Sequence, residues 1–261
     1  MSNLVRFVVF IFGSIVGSFL NVCIYRLPKG RSVVIPASHC PNCAAAIHWY
    51  DNIPILSYIF LGGKARCCRT KISFRYFVVE ILTASASLAL FSVFGLTPKF
   101  FAYAVMVSGL IVATFVDFEI QEIPDEVSVG VLAVGLLLAA AFPSIFNETA
   151  RLNSFLNSFL GALAGGGMIY AMGTLGEFMF KKEAMGGGDV KLLAMIGAFV
   201  GWKLVVLTFF LAPAFGSVVG IILKIRHGRE TIPYGPYLSL AAVVVIFCGD
   251  KILRILFGGL Y

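Results

Sequence analysis

Long apolar runs, each close to the length of a membrane-crossing helix, alternate with short polar links along the chain. They fall at 4–25, 77–96, 98–116, 127–146, 153–180, 190–202, 204–223 and 236–258. A helix rises about 1.5 Å per residue, so about 20 apolar residues cross roughly 30 Å of hydrocarbon. The pattern predicts an all-α fold, a polytopic transmembrane helical bundle of about eight spans. The run at 190–202 is too short to cross as a straight helix. It is expected to tilt, to re-enter, or to join 204–223 through Gly201 and Trp202, which leaves seven spans as the alternative. The first run has only Arg6 near its start and no small-residue cleavage site, so it reads as a retained span and not as a secretory signal.

The main polar interruption is 26–76. It divides the chain into a first span (1–25), a loop module (26–76) and a multi-span membrane domain (77–261). A segment of about fifty residues rarely builds a sufficient core alone, so the loop module is expected to need a metal staple or packing against the membrane domain.

Composition sharpens this picture. Of 261 residues, 59% are apolar and 13% charged, and the mean hydropathy is +0.96, which excludes a soluble globular chain. The charge distribution sets the orientation. Arg26, Lys29, Arg31, Lys64, Arg66, Arg69, Lys71 and Arg75 crowd the 26–76 loop, which places it in the cytoplasm. With eight spans, the links near 181–191 and 224–235 fall on the same side with Lys181, Lys182, Lys191, Lys224, Arg226 and Arg229. Fourteen of the 20 basic residues then face inward. The net charge of +7 is accounted for by topology and by attraction to anionic membrane lipids, so no nucleic-acid partner is expected.

The candidate chemistry lies in the acidic residues. The chain has only 13 carboxylates, and five of them, Asp117, Glu119, Glu122, Asp125 and Glu126, occupy one ten-residue window with no Lys or Arg among them. Asp117 stands where the third span ends, at the hydrocarbon boundary, and no local capping position accounts for it. Asp189 follows Gly186, Gly187 and Gly188 in MGGGDVK and precedes an apolar run at the same face. The three glycines let another backbone approach closely. Asp125, after Pro124, and Asp189 both occupy positions that suit helix caps, so capping is the competing explanation for each. Two carboxylates brought together at such a boundary share a proton, one acting as base toward water and the other as acid toward a peptide bond. Proteolysis by that route needs no metal and no covalent intermediate. The same carboxylates also suit an ion or proton carrier, and residue chemistry alone does not separate the two readings.

The ordered blocks GSFLNVCIYRLP (17–28), CPNC (40–43), WYDNIPILSY (49–58), ISFRYFVVE (72–80), VDFEIQEIPD (116–125), MGGGDVKLLAMIGAFVGW (185–202) and IPYGPYLSLAA (232–242) resemble the type IV prepilin peptidases, also called prepilin leader peptidase/N-methyltransferases, which are GxGD-type aspartyl proteases of the membrane. The resemblance runs nearly end to end. It implies Asp117 and Asp189 as the catalytic pair, Asp125 with Gly186, Gly187 and Gly188 as accessory residues, and a bacterial inner (cytoplasmic) membrane protein whose active site faces the cytoplasm. The implied substrates are type IV prepilins or type II secretion pseudopilins, cut just after a glycine that ends a basic leader. S-adenosylmethionine is the implied donor for methylation of the new amino terminus. Phe74 and Phe77 stand where the family commonly has prolines, near the region associated with methyl transfer, and Glu80 in the second span is the methyl-transfer candidate. Its alternative role is structural. A scaffold that binds pilins without cutting them is a further alternative.

Cys40 and Cys43 form a C-x2-C knuckle, and Cys67 and Cys68 lie downstream in GKARCCRTKISFRY. A cytoplasmic loop disfavours disulfides, and this spacing suits zinc. Many members of the family carry two such pairs. Here Ala65 stands where the third cysteine is expected, Cys68 falls on the fourth, and Cys67 is displaced by two positions. The expected metal ligands are therefore Cys40, Cys43 and Cys68, with the fourth open among Cys67, His39 and His48. Gly13 with Gly17, and Gly161 with Gly165, have the GxxxG spacing that lets helices pack closely, and internal packing is the expected use.

Overall fold

The computed structural model describes residues 3–181, 185–227, 233–256 and 258. Lys182, Arg229 and Ile232, which entered the sequence reading, lie outside the described residues. Regular structure among the described residues is helical, with isolated bridges and no named strand. The chain forms two compact units, Met1–Leu96 and Thr97–Tyr261.

The first unit holds α1 (Asn3–Arg26), the short α2 (Leu56–Phe60) and α3 (Phe74–Phe94). Ser73 starts α3 by accepting the Arg75 N–H at 3.3 Å. The small residues of α1 set its approach to α3: a Cβ on Gly13 would stand 2.9 Å from Ala84 Cα, and one on Gly17 only 2.8 Å from Glu80 Cα. The first GxxxG pair therefore serves helix packing within the chain. Asn21 locks the same pair further along, its amide donating to the Tyr76 carbonyl at 3.0 Å.

The second unit holds α4 (Pro98–Ile120), α5 (Asp125–Ala141), α6 (Arg151–Phe180), α7 (Gly187–His227) and α8 (Gly235–Leu256). Its core includes Met106, Leu110, Ile169, Leu192, Leu193, Met195, Ile196 and Leu238, all essentially without solvent exposure. The second GxxxG pair works as the first does. A Cβ on Gly161 would strike the Gly197 carbonyl, and one on Gly165 the Leu193 carbonyl, so α6 and α7 meet backbone to backbone. Ser158 adds a hydrogen bond to the Ala198 carbonyl at 2.5 Å across that interface.

Five helices among the described residues are long and apolar enough to cross a membrane: Asn3–Lys29, Phe74–Phe94, Pro98–Ile120, Arg151–Met179 and Gly187–Ile222. The runs expected as separate spans at 190–202 and 204–223 lie on one continuous element, α7, bent where Gly201 takes φ 81° and ψ 172°. The sequence had allowed that merger. Asn157 Oδ1 would lie 2.7 Å from a Cβ at Gly201, so the bend is also a place where another side chain fills the missing one. The run expected to reach 146 ends earlier. Helix α5 stops at Ala141, and Pro143, which has no N–H to donate, opens a short 3-10 turn over Pro143–Phe146.

Candidate active site and cysteine cluster

Helix α4 ends because Gln121 turns to φ 55° and donates its N–H to the Asp117 carbonyl at 3.0 Å, three residues before Pro124. That termination leaves Asp117 in the last turn, only 5% exposed. Its carboxylate points to a partner that no local pattern reveals: Oδ2 accepts the Gly235 N–H at 2.9 Å, across 118 residues. Gly235 opens α8, so this N–H is one that the helix itself leaves unpaired, and a negative charge there is favoured by the helix dipole. Asp117, which had no local capping role, thus caps α8 in space. Gly235 has to be glycine for this approach, since a Cβ would stand 2.8 Å from the same oxygen.

Asp189 is the third residue of α7 and half-buried. Its N–H donates to the Gly186 carbonyl at 3.1 Å, and its carboxylate accepts the Gly186 N–H, so it caps the start of α7 from the third helical position and not from the position before the helix expected from sequence. Capping does not isolate it. Asp189 lies near enough to Asp117 for the two charges to act on each other, and near enough to Tyr234 for its charge to act there as well. Ile123, in the link between α4 and α5, packs between the two ends. A Cβ on Gly188 would lie 3.2 Å from Ile123 Cβ, and one on Gly235 3.3 Å from Ile123 Cδ1. Of the other two glycines, Gly186 lies beside the Asp189 carboxylate, while Gly187 faces open space.

Asp125 begins α5 and accepts a hydrogen bond from Lys191 Nζ at 2.6 Å, both side chains being exposed. Lys191 is two residues beyond Asp189, so this pair ties the first turn of α5 to the second turn of α7. Sequence reasoning counted Lys191 only toward topology. The signal for its pairing was the absence of any basic residue inside the acidic window, which leaves that window to find its cation elsewhere in the fold.

In the first unit, Glu80 is buried on α3, where its Oε2 accepts the Ile55 N–H at 2.7 Å and Ser18 supplies a further hydrogen bond. Ile55 sits at φ 64° and ψ −54°, a costly conformation for a β-branched residue. Glu80 thereby pins a strained turn of the 49–58 segment.

The cysteines come from two knuckles of one design. In the first, the Cys40 N–H meets the Ala45 carbonyl and the Ala44 N–H the Cys40 carbonyl, both at 2.9 Å, with Ala44 at φ 56°. In the second, Ala65 and Thr70 pair as Cys40 and Ala45 do, Arg69 bonds back to Ala65, and Arg69 takes φ 58°. Ala65 is thus the counterpart of Cys40, Cys68 of Cys43, and Cys67 of Asn42. Even so, the four sulfurs of Cys40, Cys43, Cys67 and Cys68 all lie within 4.8 Å of one another. Cys40 and Cys68 are 3.6 Å apart, Cys43 and Cys67 3.3 Å, and Cys67 and Cys68 3.8 Å. His39 Nδ1 instead lies 3.1 Å from the Ala37 carbonyl, and His48 stacks on Tyr50. The Thr70 hydroxyl and backbone, followed by Asn42, hold the Cys68 thiol down to about 6, while crowding by Cys43 pushes Cys67 up to about 12. The backbone of Cys43 and Asn42 also lowers the Cys40 thiol, so the cluster favours thiolate at Cys40 and Cys68 and resists it at Cys67.

Two family patterns match the chain, one in each compact unit. Residues 11–94 match the bacterial peptidase A24 N-terminal domain, and residues 104–221 match the type IV leader peptidase family. The chain is 34% identical over 268 residues to the prepilin leader peptidase/N-methyltransferase of Pseudomonas aeruginosa, covering 93% of this chain and 90% of that protein. It is 34% identical over 275 residues to the protein of the same name from Aeromonas hydrophila, covering 94% and 91%. A third relative, the type 4 prepilin-like proteins leader peptide-processing enzyme of Escherichia coli, is 34% identical over 253 residues, covering 90% and 91%. No solved structure matches the chain.

Proposed function

The chain belongs to the type IV leader peptidase family, and from that premise we propose that it removes the basic leader of type IV prepilins or type II secretion pseudopilins by a two-aspartate mechanism and then methylates the new amino terminus. It is a membrane enzyme. The observation that carries the peptidase reading is the convergence of Asp117, from the end of α4, and Asp189, from the start of α7, within reach of each other's charge.

Two neighbouring carboxylates resist double ionisation, so one holds a proton while the other is charged. The charged member takes a proton from water as the water attacks the scissile carbonyl. The protonated member hydrogen-bonds to the developing oxyanion and then helps protonate the leaving amine. The Gly235 N–H fixes the rotamer of Asp117, and the Gly186 N–H fixes that of Asp189. Asp125 acts one step away, through Lys191, by holding the start of α7. Gly186, Gly187 and Gly188 leave the backbone before Asp189 free of side chains, so an extended substrate can lie beside it.

The basic residues of the 26–76 loop support a cytoplasmic position for that loop, and the lysines and arginines of the links near 181–191 and 224–235 support the same side of the inner membrane for the peptidase site. Eight crossings satisfy this orientation when α5, α8 and the two halves of α7 are each counted as spans alongside the other four long helices.

The cysteine cluster fits a zinc ion. Zinc–sulfur bonds of about 2.3 Å in a tetrahedron set sulfurs about 3.8 Å apart, close to the separations present. Cys40, Cys43, Cys67 and Cys68 would hold it, and bound there it would staple two knuckles of a module too short to build its own core. S-adenosylmethionine is the methyl donor that the relatives' name implies. The residues around Glu80 do not form a cradle for that donor, because the carboxylate is already committed to Ile55 and Ser18. Glu80 instead holds the 49–58 turn.

The test uses the purified full chain in detergent with a synthetic prepilin. Cleavage after the leader glycine is expected, and Asp117→Asn or Asp189→Asn is expected to abolish it with helicity preserved. Retained cleavage in either variant removes the pair from catalysis. A mass gain of one methyl group on the product, with S-adenosylmethionine supplied, tests the second activity.

A further inference from the structure

The short helix α2 turns its apolar side outward. Leu56, Ile59 and Phe60 recur at the spacing of one helix face, and each is at least half exposed. The residues between them are tied down. The Ser57 hydroxyl donates to the Tyr50 carbonyl at 3.1 Å, and the Tyr58 ring lies 5.2 Å from Phe77 and 6.3 Å from Phe74 between centroids. Phe74 opens α3, which is long and apolar enough to cross a membrane. The two phenylalanines that stand where the family commonly has prolines therefore hold α2 at the level where the chain enters the bilayer. Through Ser57 the 49–52 turn joins the same assembly, and Trp49 at its start is 80% exposed.

Charge accompanies this apolar face. Asp51 is the single acidic residue of the 26–76 module, against eight lysines and arginines, and Arg66 Nε already holds both of its oxygens, at 2.8 and 2.9 Å. Shortly past α2, an antiparallel bridge sets Lys64 opposite Lys71, both exposed. Like charges opposite each other repel, so the pair gains from an anion placed beside it, and the module has no free carboxylate to supply one. Four thiolates on a zinc ion would offset only part of the positive charge.

We propose that this face of the loop module docks on the surface of the bilayer, with Leu56, Ile59, Phe60 and Trp49 in the interfacial layer and Lys64 and Lys71 on the phosphates of anionic phospholipids. Aromatic and aliphatic side chains flanked by lysines are the chemistry of an interfacial anchor, and tryptophan belongs at the headgroup level. The module is already tethered there, because the chain leaves the membrane domain at the end of α1 and returns to it at the start of α3. The hydrophobic segment of a prepilin is the competing occupant of the apolar stripe. Its basic leader, however, has the same charge as Lys64 and Lys71, whereas an anionic lipid surface complements both the stripe and the lysines. Docking of this kind fixes the module on the membrane without a core of its own.

The experiment uses the full chain with Trp202→Phe, which leaves Trp49 as its single tryptophan. It is placed in lipid nanodiscs of phosphatidylcholine alone or with roughly one-third phosphatidylglycerol. Quenching of Trp49 fluorescence is read from the lipid side with phospholipid brominated high on the acyl chain, and from the water side with acrylamide. Brominated lipid should quench Trp49 at least about 2-fold more strongly in the anionic discs than in phosphatidylcholine, with acrylamide quenching reduced to match. Raising the salt from about 0.1 to 1 M should erase the difference between the two lipids, because the screening length falls to roughly 3 Å. Lys64→Glu with Lys71→Glu should erase it at low salt, and Phe60→Ser should lower quenching from the lipid side in both. The salt series alters no residue of the module, so a variant that folds poorly does not decide the matter. Equal quenching in the two lipids at low salt overturns the recognition of anionic phospholipid. Free access of acrylamide with no quenching from the lipid side overturns the anchor altogether. Protection of Trp49 that arises only when a prepilin peptide is added gives the surface to substrate and overturns the proposal as well.

Discussion

The aspartate site and the cysteine cluster are both sets of four or five polar groups, yet the fold assembles them in opposite ways. The cysteines sit on two tight knuckles, each closed by hydrogen bonds between residues at most five apart, and the knuckles are joined by a short span of chain. The aspartates belong to helix ends 72 residues apart in the chain, and the bond that fixes Asp117 spans 118 residues. A local cluster tolerates relocation of one member: Cys67 occupies the knuckle position of Asn42, and its sulfur still joins the other three. A site built from helix ends has no such slack, because each carboxylate is aimed by a whole helix.

The largest effect is expected at the aspartates. On the proposed mechanism Asp117→Asn or Asp189→Asn would remove one half of the proton exchange, and a fall in kcat of at least about 10³-fold is expected. Peptide cleavage measured beside circular dichroism checks that the loss is chemical. The next largest effect should come from Gly235→Ala, which keeps both carboxylates. Its Cβ would stand 2.8 Å from Asp117 Oδ2, so either the carboxylate or the start of α8 must move. Loss of a hydrogen bond to a charged group costs about 1.5–3 kcal/mol, or roughly 10–100-fold in kcat/KM if it is felt in the transition state. An effect below about 2-fold would mean that Asp117 is aimed by something other than α8.

These cases also show where the sequence was readable. Residue types and their helical setting picked out Asp117 and Asp189, because carboxylates are rare in this chain and costly at a bilayer boundary. The glycine pairs at 13–17 and 161–165 announced close helix packing, since spacing on one helix face is a local property. The identity of the Asp117 partner was not readable, because Gly235 lies two helices beyond α6 and carries no side chain to betray its role. The pairing of Asp125 with Lys191 also escaped, because the two residues lie 66 positions apart. The bend at Gly201 was half-legible: a short apolar run flagged it, but not that Asn157 and Phe146 pack where a side chain at that position would stand. In the cysteine loop, the family resemblance put Ala65 where a third cysteine is expected, and the knuckle hydrogen bonds make it the counterpart of Cys40, yet the sequence did not show that Cys67 reaches the cluster from a shifted position.

That shift gives the third prediction. If knuckle geometry and not sequence position decides ligation, Cys67→Ala should weaken metal binding by about 10-fold or more, a loss at least as large as that for an outer-layer partner. The double substitution Ala65→Cys with Cys67→Ala should restore it, because Ala65 occupies the place that Cys40 holds in the first knuckle. Competition with a chromophoric zinc chelator reads both results. A swap variant that binds no better than Cys67→Ala alone would show that the second knuckle lacks the equivalence its hydrogen bonds suggest.

The smallest effect sharpens the comparison most, because it concerns the one contact near the aspartates that should have slack. Lys191 and Asp125 are joined at 2.6 Å, but their side chains are 44% and 64% exposed. Exposed ion pairs contribute about 0.2–1 kcal/mol, so Lys191→Ala and Asp125→Ala should each lower kcat/KM by less than about 5-fold. The double substitution should cost little more than either single one, since both remove the same tie between α5 and α7. Raising the ionic strength should shrink the single-variant losses, because water-exposed charges are screened. A loss of about 100-fold or more for Lys191→Ala, insensitive to salt and additive with Asp125→Ala, would assign the lysine a direct contact with substrate. The aspartate site would then extend two residues along α7, and Asp125 would be a partner that holds Lys191 ready instead of a brace for the helix.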